Sequence, residues 1–343
     1  MFIKKIKYSE AIDESISDSI KKDKNIYVVG AEMLYKAKAF GTVQKSYTKF
    51  PKQFISTPSM ENGLCTILAG SAIEGLRPVF INNRCDFLFL AFDPIVNLIA
   101  KWKYMFNGNS GSCPIVIRAI IGRGWGQGPT HSQTLYNFLF GLKGIKIFMP
   151  ALAQDAYNVI RYSLKANHPS IILENRQLYN ETSGFFKNKA NKEPISTLFF
   201  NNGKMLIISS AYTTVQALRV SKIIKKKFNI NISILNIILV NPINDKNIIK
   251  LTKKYKNILI LDSDSVNSNL SNYLFFIIKN NNKKANIKVI GNAKTPTPAS
   301  EKLEKLYYLQ TKDIYLNCLK MLKIKIYKDK INLTDVKNFD GPY

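Results

Sequence analysis

Short runs of β-branched residues alternate with helical stretches along most of the chain, and this alternation restricts the fold more than any other feature. The runs "IYVVG", "PVFIN", "PIVIRAI", "IKIFMP" and "SIILEN" are bounded by Gly, Pro or Asn, which is typical of buried strands. Between them lie "ENGLCTILAGSAIEGL", "FLFLAFDPIVNLIAKWKYMF", "HSQTLYNFLFGL" and "AQDAYNVIRYSLKAN", which read as helices. This alternation of strands and helices predicts an α/β fold in which helices cover both faces of a parallel sheet.

The alternation stops near residue 178 and resumes near residue 204. The intervening stretch "YNETSGFFKNKANKEPIS" is polar and rich in Lys, and after it "KMLIISS", "ISILNIILV", "NILILDSD" and "IKVIGN" read as a second set of strands. The chain has 343 residues, 46% of them hydrophobic, and a domain takes roughly 150 residues. We therefore expect two parallel-sheet domains, residues 1–178 and 204–330, joined by a linker at 179–203.

The charge of the chain raises the possibility of an acidic polymer as partner. The sequence holds 50 Lys+Arg against 23 Asp+Glu, a formal charge of +27. The lysines are interleaved with Asn and Ile throughout and form no arginine-rich stripe or recognisable nucleic-acid module, so we expect no nucleic-acid partner.

Location follows from other sequence features. The start lacks a signal-peptide pattern, and no segment reaches the ~18 uncharged residues of a spanning helix, so we expect no membrane association and a cytoplasmic protein. The four scattered cysteines include no C-x-x-C pair, which fits a reducing compartment without a zinc site or a disulfide framework. With two histidines in the whole chain, a His-rich metal site is excluded.

Ligands of open parallel sheets bind beyond the carboxyl ends of the strands, so residues that follow the strands are the first candidates for chemistry. In "STPSMENGL", Glu61 stands at the predicted start of a helix. A carboxylate there ordinarily only complements the helix dipole. The apolar neighbours Pro58, Met60 and Leu64 also suit a carboxyl group that exchanges protons near neutrality.

Two further segments follow strands. In "NNRCDFLFLAFDPIVNLIAKW", the aromatic residues Phe87, Phe89 and Phe92 suit a buried helix, and any one of them can also stack on a flat heterocycle. In "GRGWGQGPTHSQ", glycine recurs at every second position from Gly122 to Gly128, which lets the backbone approach a ligand or partner closely.

His131 follows this glycine-rich loop and suits a structural residue, a helix cap or a catalytic group equally well. No Ser-His-Asp order or Cys-His pair stands out, although spacing alone leaves Cys113 open as a nucleophile.

Taken in order, these segments resemble the beta subunit of thiamine-diphosphate-dependent 2-oxo acid dehydrogenases, which is equivalent to the pyrimidine-binding and C-terminal domains of transketolase. The resemblance covers nearly the whole chain, from "YSEAI" to about Tyr315, and implies a transketolase-like pyrimidine-binding domain followed by a transketolase C-terminal-like domain. It rests on "TPSMENGLCTILAGSAIEGLRPVF", "DFLFLAFDPIVNLIAKWKYMF", "GRGWGQGPTHSQ", "GIKIFMPALAQDAYNVIRYSLKANHPSIILEN" and "TPTPASEKLEKLYY".

The resemblance also implies a role for each candidate residue. Glu61 matches the acid that hydrogen-bonds N1′ of the cofactor's aminopyrimidine and promotes its imino tautomer. Phe87 matches the aromatic residue that packs on the pyrimidine ring. His131 matches the histidine that faces the substrate. In "GAEM", Glu32 is a further candidate for the cofactor site, where the family often has Gly-Glu.

One family motif is absent. Mg²⁺ and the diphosphate are held in this family by a G-D-G … N motif, and no "GDG" occurs in the chain. The resemblance therefore implies a shared cofactor, with Mg²⁺ bound by a separate alpha subunit in an α2β2 heterotetramer, and this chain active only with that subunit.

The resemblance implies decarboxylation of a pyruvate-like 2-oxo acid, with transfer of the acyl group to a lipoyl carrier, so a lipoyl acyltransferase is a further expected partner. The alternative is the C-terminal half of a two-chain transketolase-like enzyme that moves a two-carbon unit in carbohydrate or surface-polysaccharide metabolism. One departure bears on the substrate: many members read "DLRTIKPLD" where this chain reads "NIILVNPIND", without the arginine.

Overall fold

A computed structural model of the chain describes residues 4–31, 33–34, 38–122, 126–187, 192–325, 333 and 335. Its strands form a seven-stranded sheet, a five-stranded sheet and one antiparallel pair. Helices pack on the two larger sheets, which are mainly parallel. The predicted α/β fold with two parallel-sheet domains is confirmed.

The first half of the chain supplies most of the seven-stranded sheet. Its elements are β1 (Lys4–Lys7), α1 (Tyr8–Lys22), β2 (Ile26–Ala31), α2 (Gln44–Lys49), β3 (Phe54–Thr57), α3 (Glu61–Ile73), β4 (Arg77–Asn82), α4 (Cys85–Leu88), α5 (Trp102–Met105), β5 (Val116–Ile121), β6 (Lys146–Phe148), α6 (Ala153–Lys165), β7 (Ser170–Asn175) and β8 (Thr182–Phe185).

The second half forms the five-stranded sheet and its helices. Its elements are β9 (Ser196–Phe199), β10 (Leu206–Ser209), α7 (Ala211–Phe228), β11 (Ser233–Ile237), β12 (Leu239–Asn241), α8 (Asp245–Thr252), β13 (Asn257–Ser265), α9 (Asn269–Asn281), β14 (Asn286–Asn292), α10 (Glu301–Tyr307) and α11 (Thr311–Met321). The order in this sheet is β14-β13-β10-β11-β9, with only β9 antiparallel to its neighbour.

The seven-stranded sheet has the order β12-β6-β7-β5-β4-β2-β3. Every residue of β5 and β7 is buried, as expected of central strands with helices on both faces. On one face, α1 packs with Ile12, Ile16 and Ile20, which are spaced four residues apart and have no exposed surface. None of the helices among the described residues is both long and apolar enough to cross a bilayer.

Two predicted helices differ from the structure. Residues 87–106 form α4, a short 3₁₀ turn, a wide turn at Pro94–Ile99 and α5. Proline has no N–H to continue a regular helix, and the wide turn ends where the Ala100 N–H donates to the Ile95 carbonyl, five residues back. Within residues 131–142 only Leu135–Phe138 forms a 3₁₀ turn. This segment is held instead by contacts with the second half, where the Tyr136 hydroxyl donates to Asp262 at 2.5 Å.

The predicted strand 232–240 is divided between the two sheets. Its first part is β11 of the five-stranded sheet, and β12 pairs antiparallel with β6 at the edge of the seven-stranded sheet. The predicted linker, residues 179–203, contains β8, which pairs with β1, and β9, which pairs with β11. The limits of the two domains stay a prediction.

Candidate active site

A cleft of about 130 Å³ lies at the carboxyl ends of two neighbouring strands of the seven-stranded sheet. Ala31 ends β2, Asn82 ends β4, and Glu61 begins the helix that follows β3, and all three line the cleft. The same wall includes Phe87 of α4. The fold therefore brings two of the predicted site residues, Glu61 and Phe87, into one cleft. This cleft lies at the edge of the sheet where open parallel sheets bind their ligands.

Glu61 is the first residue of α3 and is half-buried in the cleft wall. The helix starts where the Leu64 N–H donates to the Met60 carbonyl at 2.8 Å, and both of these apolar residues line the cleft beside Glu61. The N–H groups of the first helical turn stabilise a carboxylate at this position. Glu61 thus places a carboxyl group in the wall of the cleft.

Phe87, which lines the cleft, contacts His131. Their ring centroids are 5.1 Å apart and the rings are nearly perpendicular, at 81°, which is a favourable edge-to-face arrangement. Nδ1 of His131 lies 2.8 Å from the hydroxyl oxygen of Thr130, which fixes the imidazole on its other side. Phe87 therefore links the other two predicted residues, since it lines the cleft with Glu61 and contacts the ring of His131.

The cleft also presents polar atoms that have no partner among the described residues. Oδ1 of Asn82 and Oδ1 of Asn83 are buried without a donor, although the Asn83 amide donates to the Ala31 carbonyl at 3.1 Å. A buried acceptor left unpaired costs about 1–3 kcal/mol. These two oxygens suit a ligand that brings an N–H donor.

The size of the cleft agrees with a ligand that has one aromatic ring. A protein cavity of roughly 150 Å³ holds benzene, and the cleft has about 130 Å³. An aminopyrimidine fits the site, because its exocyclic amine is a donor for the asparagine oxygens, its flat ring suits Phe87, and a ring nitrogen can meet the carboxyl group of Glu61.

The loop that carries His131 packs against the second half of the chain. Gly128 has φ +68°, and a Cβ there would lie 3.1 Å from Cβ of Ala299. The Tyr308 hydroxyl donates to the Ser132 carbonyl at 3.3 Å. The close approach that the glycines suggested is therefore made, at least at this position, to residue 299 of the same chain.

Other predicted features lie elsewhere. Glu32 and residues 123–125 of the glycine-rich loop are outside the described residues. Burial raises the pKa of the Cys113 thiol to about 12, which keeps it protonated near neutrality and unsuited to act as a nucleophile. In the part of the chain that the structure describes, no three His, Cys, Asp or Glu side chains are grouped as a metal site.

Sequence reasoning missed the asparagines of the cleft and the polar residues beside Phe87. Asn82 and Asn83 directly follow a predicted strand, so the rule that selected Glu61 would have selected them as well. Asp86 and Arg84 carried no such signal, because their partners are more than 40 residues away in the chain.

Family models match both halves of the chain. Residues 4–182, more than half of the chain, match the model described as the transketolase pyrimidine-binding domain. The chain belongs to this family. Residues 201–314 match the transketolase C-terminal domain, and the resemblance read from the motifs is confirmed. Glu61, Phe87 and His131 all lie within the matched pyrimidine-binding domain.

Several curated relatives align over most of the chain. The beta subunit of the pyruvate dehydrogenase E1 component from Saccharomyces cerevisiae is 24% identical, over 92% of this chain and 88% of the relative. The corresponding subunit from Rickettsia felis is 27% identical, over 89% and 94%. The beta subunit of an acetoin:2,6-dichlorophenolindophenol oxidoreductase from Cupriavidus necator is 24% identical, over 93% and 98%.

A solved structure shares the transketolase fold of this chain. It is described as a split gene transketolase, an inactive beta4 tetramer, and superposes with a TM-score of 0.73 at 20% identity, covering 94% of this chain and 99% of the other. The superposition extends over both domains of this chain.

Proposed function

We propose that the chain is the beta subunit of a thiamine-diphosphate-dependent 2-oxo acid dehydrogenase. The observation that carries the proposal is the meeting of Glu61 and Phe87 in one ring-sized cleft of a transketolase pyrimidine-binding domain, with His131 in contact with Phe87. The relatives named as pyruvate dehydrogenase beta subunits align over nearly the full length, which supports the same reaction class.

Each residue has a distinct role in the proposed reaction. The site would hold thiamine diphosphate, which would supply a nucleophilic carbon and an electron sink for the bonding pair that stays behind when CO₂ leaves. Glu61 holds and returns a proton at N1′ of the aminopyrimidine. Phe87 packs against the pyrimidine ring, and the unpaired oxygens of Asn82 and Asn83 accept from its amine. His131 faces the substrate and orients its polar groups.

The cleft requires a second chain in this proposal. Without a G-D-G motif, an alpha subunit supplies the Mg²⁺ site and binds the diphosphate. Four large apolar side chains on α3 and adjoining segments are between 41% and 66% exposed, and we call them the apolar rim: Met60, which lines the cleft, Ile67, Leu90 and Phe138. A grouped apolar surface of this kind suits a subunit interface. The resulting assembly is α2β2, and a lipoyl acyltransferase takes the acyl group.

A transketolase-type transfer is the second candidate. The segment "NIILVNPIND", which lacks the arginine of many dehydrogenase subunits, forms the end of β11 and β12 and is the observation that favours it. The two candidates differ in substrate, because the first uses 2-oxo acids and the second uses ketose phosphates.

Replacement of Glu61 tests the proposed proton transfer. Glu61→Gln keeps the size of the side chain and removes its acid chemistry, so turnover by the complex with the alpha subunit should fall at least about a hundredfold. Glu74→Gln, at the exposed far end of α3, is the matched control and should keep wild-type turnover. The assay uses the complex co-purified with the alpha chain, on a panel of 2-oxo acids and ketose phosphates. Wild-type turnover by Glu61→Gln would disprove the assignment.

A further inference from the structure

Phe87 and His131 lie on two different segments, and their contact depends on how these segments are held together. Phe87 belongs to α4, which follows β4, and His131 belongs to the loop after β5. The edge-to-face contact of the two rings contributes only about 0.5–1.5 kcal/mol beyond burial. Such a contact alone is too weak to fix a loop that contains several glycines.

Two side-chain hydrogen bonds connect the same segments on either side of this ring pair. Nη2 of Arg84 donates to Oε1 of Gln127 at 2.5 Å, four residues before His131. Nε2 of Gln133 donates to Oδ1 of Asp86 at 2.8 Å, two residues after His131. We call these two bonds the α4–loop clamp. Both involve a charged group, which makes such bonds shorter and stronger than neutral ones.

The α4 side of the clamp is rigid. Arg84 is 3% exposed, and its carbonyl accepts from the Phe87 N–H at 3.1 Å, so its position fixes that of Phe87. Burial and the neighbouring charge of Arg176 lower the pKa of Arg84 to about 10, which still leaves it charged at neutral pH. Asp86 stands next to Phe87 in the same short helix.

The loop side of the clamp is anchored at its base. The Gly122 N–H donates to the Gln133 carbonyl at 3.1 Å, which joins the two ends of the loop. The Asp86–Gln133 bond thus attaches α4 to a residue that is itself hydrogen-bonded to Gly122, directly after β5. One polar link thus lies before His131 in the loop and one after it, and they connect to Arg84 and Asp86, on either side of the start of the helix that carries Phe87.

We propose that Arg84 and Asp86 are positioning residues that hold His131 against Phe87 through Gln127 and Gln133. The catalytic consequence rests on the function proposed above: the clamp holds the imidazole beside Phe87, which lines the cleft. The positioning itself is a property of this chain alone and can be tested without cofactor or partner.

The small number of histidines makes the test direct. The chain has two histidines, so full-length protein labelled with ¹³C at Cε1 of histidine gives two resonances, and His168→Gln assigns them. The Phe87 ring displaces the His131 resonance because the ring centroids are only 5.1 Å apart. Phe87→Leu removes the aromatic ring and supplies the reference position of a His131 that lacks this displacement.

The clamp variants come in matched pairs. Asp86→Ala removes the acceptor for Gln133, and Asp86→Asn retains an acceptor oxygen. Gln127→Ala removes the acceptor for Arg84, and Gln127→Glu retains one. Asp86 and Gln127 are only partly buried, so these variants are expected to fold, which a thermal melt checks.

We expect both alanine variants to lose most of the displacement, so that the His131 resonance moves to its position in Phe87→Leu. Asp86→Asn and Gln127→Glu should keep the wild-type position. A wild-type resonance in folded Asp86→Ala and Gln127→Ala would overturn the proposal. Equal displacement in the alanine and conservative variants would overturn it too, because the hydrogen bonds would then not be the cause.

The test also separates this inference from the proposed function. The spectrum reports ring positions in the chain alone, whereas the Glu61→Gln assay reports turnover of the complex. A clamp that behaves as expected, together with an active Glu61→Gln enzyme, would leave the positioning intact and refute the proton-transfer role. A wild-type His131 resonance in the alanine variants, together with an inactive Glu61→Gln enzyme, would refute the clamp and leave the proton-transfer role intact.

Discussion

Asp264 is a carboxyl group at the contact between the two halves of the chain. It follows the buried Asp262 by two residues on β13, and Nδ2 of Asn137, from the first half, donates to its Oδ2 at 2.6 Å. Burial and the charge of Asp262 raise the pKa of Asp264 to about 6, whereas an aspartate in an unfolded chain has a pKa of about 3.9.

The sign of the effect on stability follows from proton binding. Between about pH 4 and pH 6 the folded state retains the proton and the unfolded state has lost it. Folding is therefore favoured at low pH by this group, and its contribution to the free energy of unfolding falls as the pH rises through this window. Above the folded pKa the ionised group destabilises the contact.

We expect Asp264→Asn to be more stable than the wild type at pH 8 by about 1–3 kcal/mol, because an amide avoids the buried charge and still offers an oxygen to Asn137. The gain should disappear near pH 4. Urea unfolding at the two pH values measures it, and Asp93→Asn, at an exposed carboxyl group, controls for the loss of one charge. An equal change at both pH values would contradict the explanation.

The sequence predicted single functional positions and not the residues that contact them. Glu61 and Phe87 were found because each follows a strand and matches a family motif, and the structure places both at one cleft. Arg84 was not found, since its hydrogen bond to Gln127 joins residues 43 apart and leaves no local pattern. The structure adds the cleft beside Glu61, and its role as a proton-transfer group stays a prediction.

Helices and strands with a clear hydrophobic periodicity were predicted well, and the elements that were not predicted have local causes. The apolar runs predicted β2, β4, β5, β6 and β7. The edge strands β3 and β9 have too few apolar residues to form a recognisable strand pattern. The helix expected at residues 87–106 is interrupted at Pro94, and the wide turn that follows brings the Ala100 carbonyl close to the turn before β6.

Gly144 lies in the turn before β6, and we expect this position to tolerate no side chain. Its φ is +88°, and a Cβ there would lie 1.8 Å from the Ala100 carbonyl oxygen, so Gly144→Ala forces the backbone apart. Gly111 has φ +71° and nothing within 4 Å of such a Cβ, so Gly111→Ala carries the same conformational cost without the clash. We expect Gly144→Ala to lose at least about 2 kcal/mol more than Gly111→Ala.

Urea unfolding of the two variants checks this expectation, with stability taken from the midpoint at constant slope. Equal midpoints would mean that the chain moves around residue 144 without cost, and the close contact with Ala100 would then not restrict this turn.

The two halves of the whole molecule are interlocked. β12 comes from the second half of the chain but pairs with β6 at the edge of the seven-stranded sheet. Alternation of strands and helices gave the number and class of the domains, since each domain repeats one local pattern. The placement of β12 in the other sheet could not be predicted, because "ISILNIILV" has no Gly, Pro or charged residue to mark where one strand ends and the next begins.

The apolar rim gives the whole molecule a surface that suits a partner chain. Asn62 donates to the Leu90 carbonyl at 3.3 Å, which joins α3 to the segment after α4, and Phe89 contacts Phe138 with ring centroids 5.3 Å apart. The rim residues therefore belong to adjoining segments beside the cleft. Burial of one such side chain stabilises an interface by roughly 1.5–3 kcal/mol.

A charge placed in this rim should weaken assembly with the alpha subunit. Leu90→Glu and Phe138→Glu are expected to reduce its co-purification with the chain at least tenfold, because each loses apolar burial and adds a charge without a partner. Leu306→Glu, on α10 and 79% exposed, is the control and should retain the partner. Full recovery of the alpha subunit with both rim variants would place the interface elsewhere, even if the cleft residues proved catalytic.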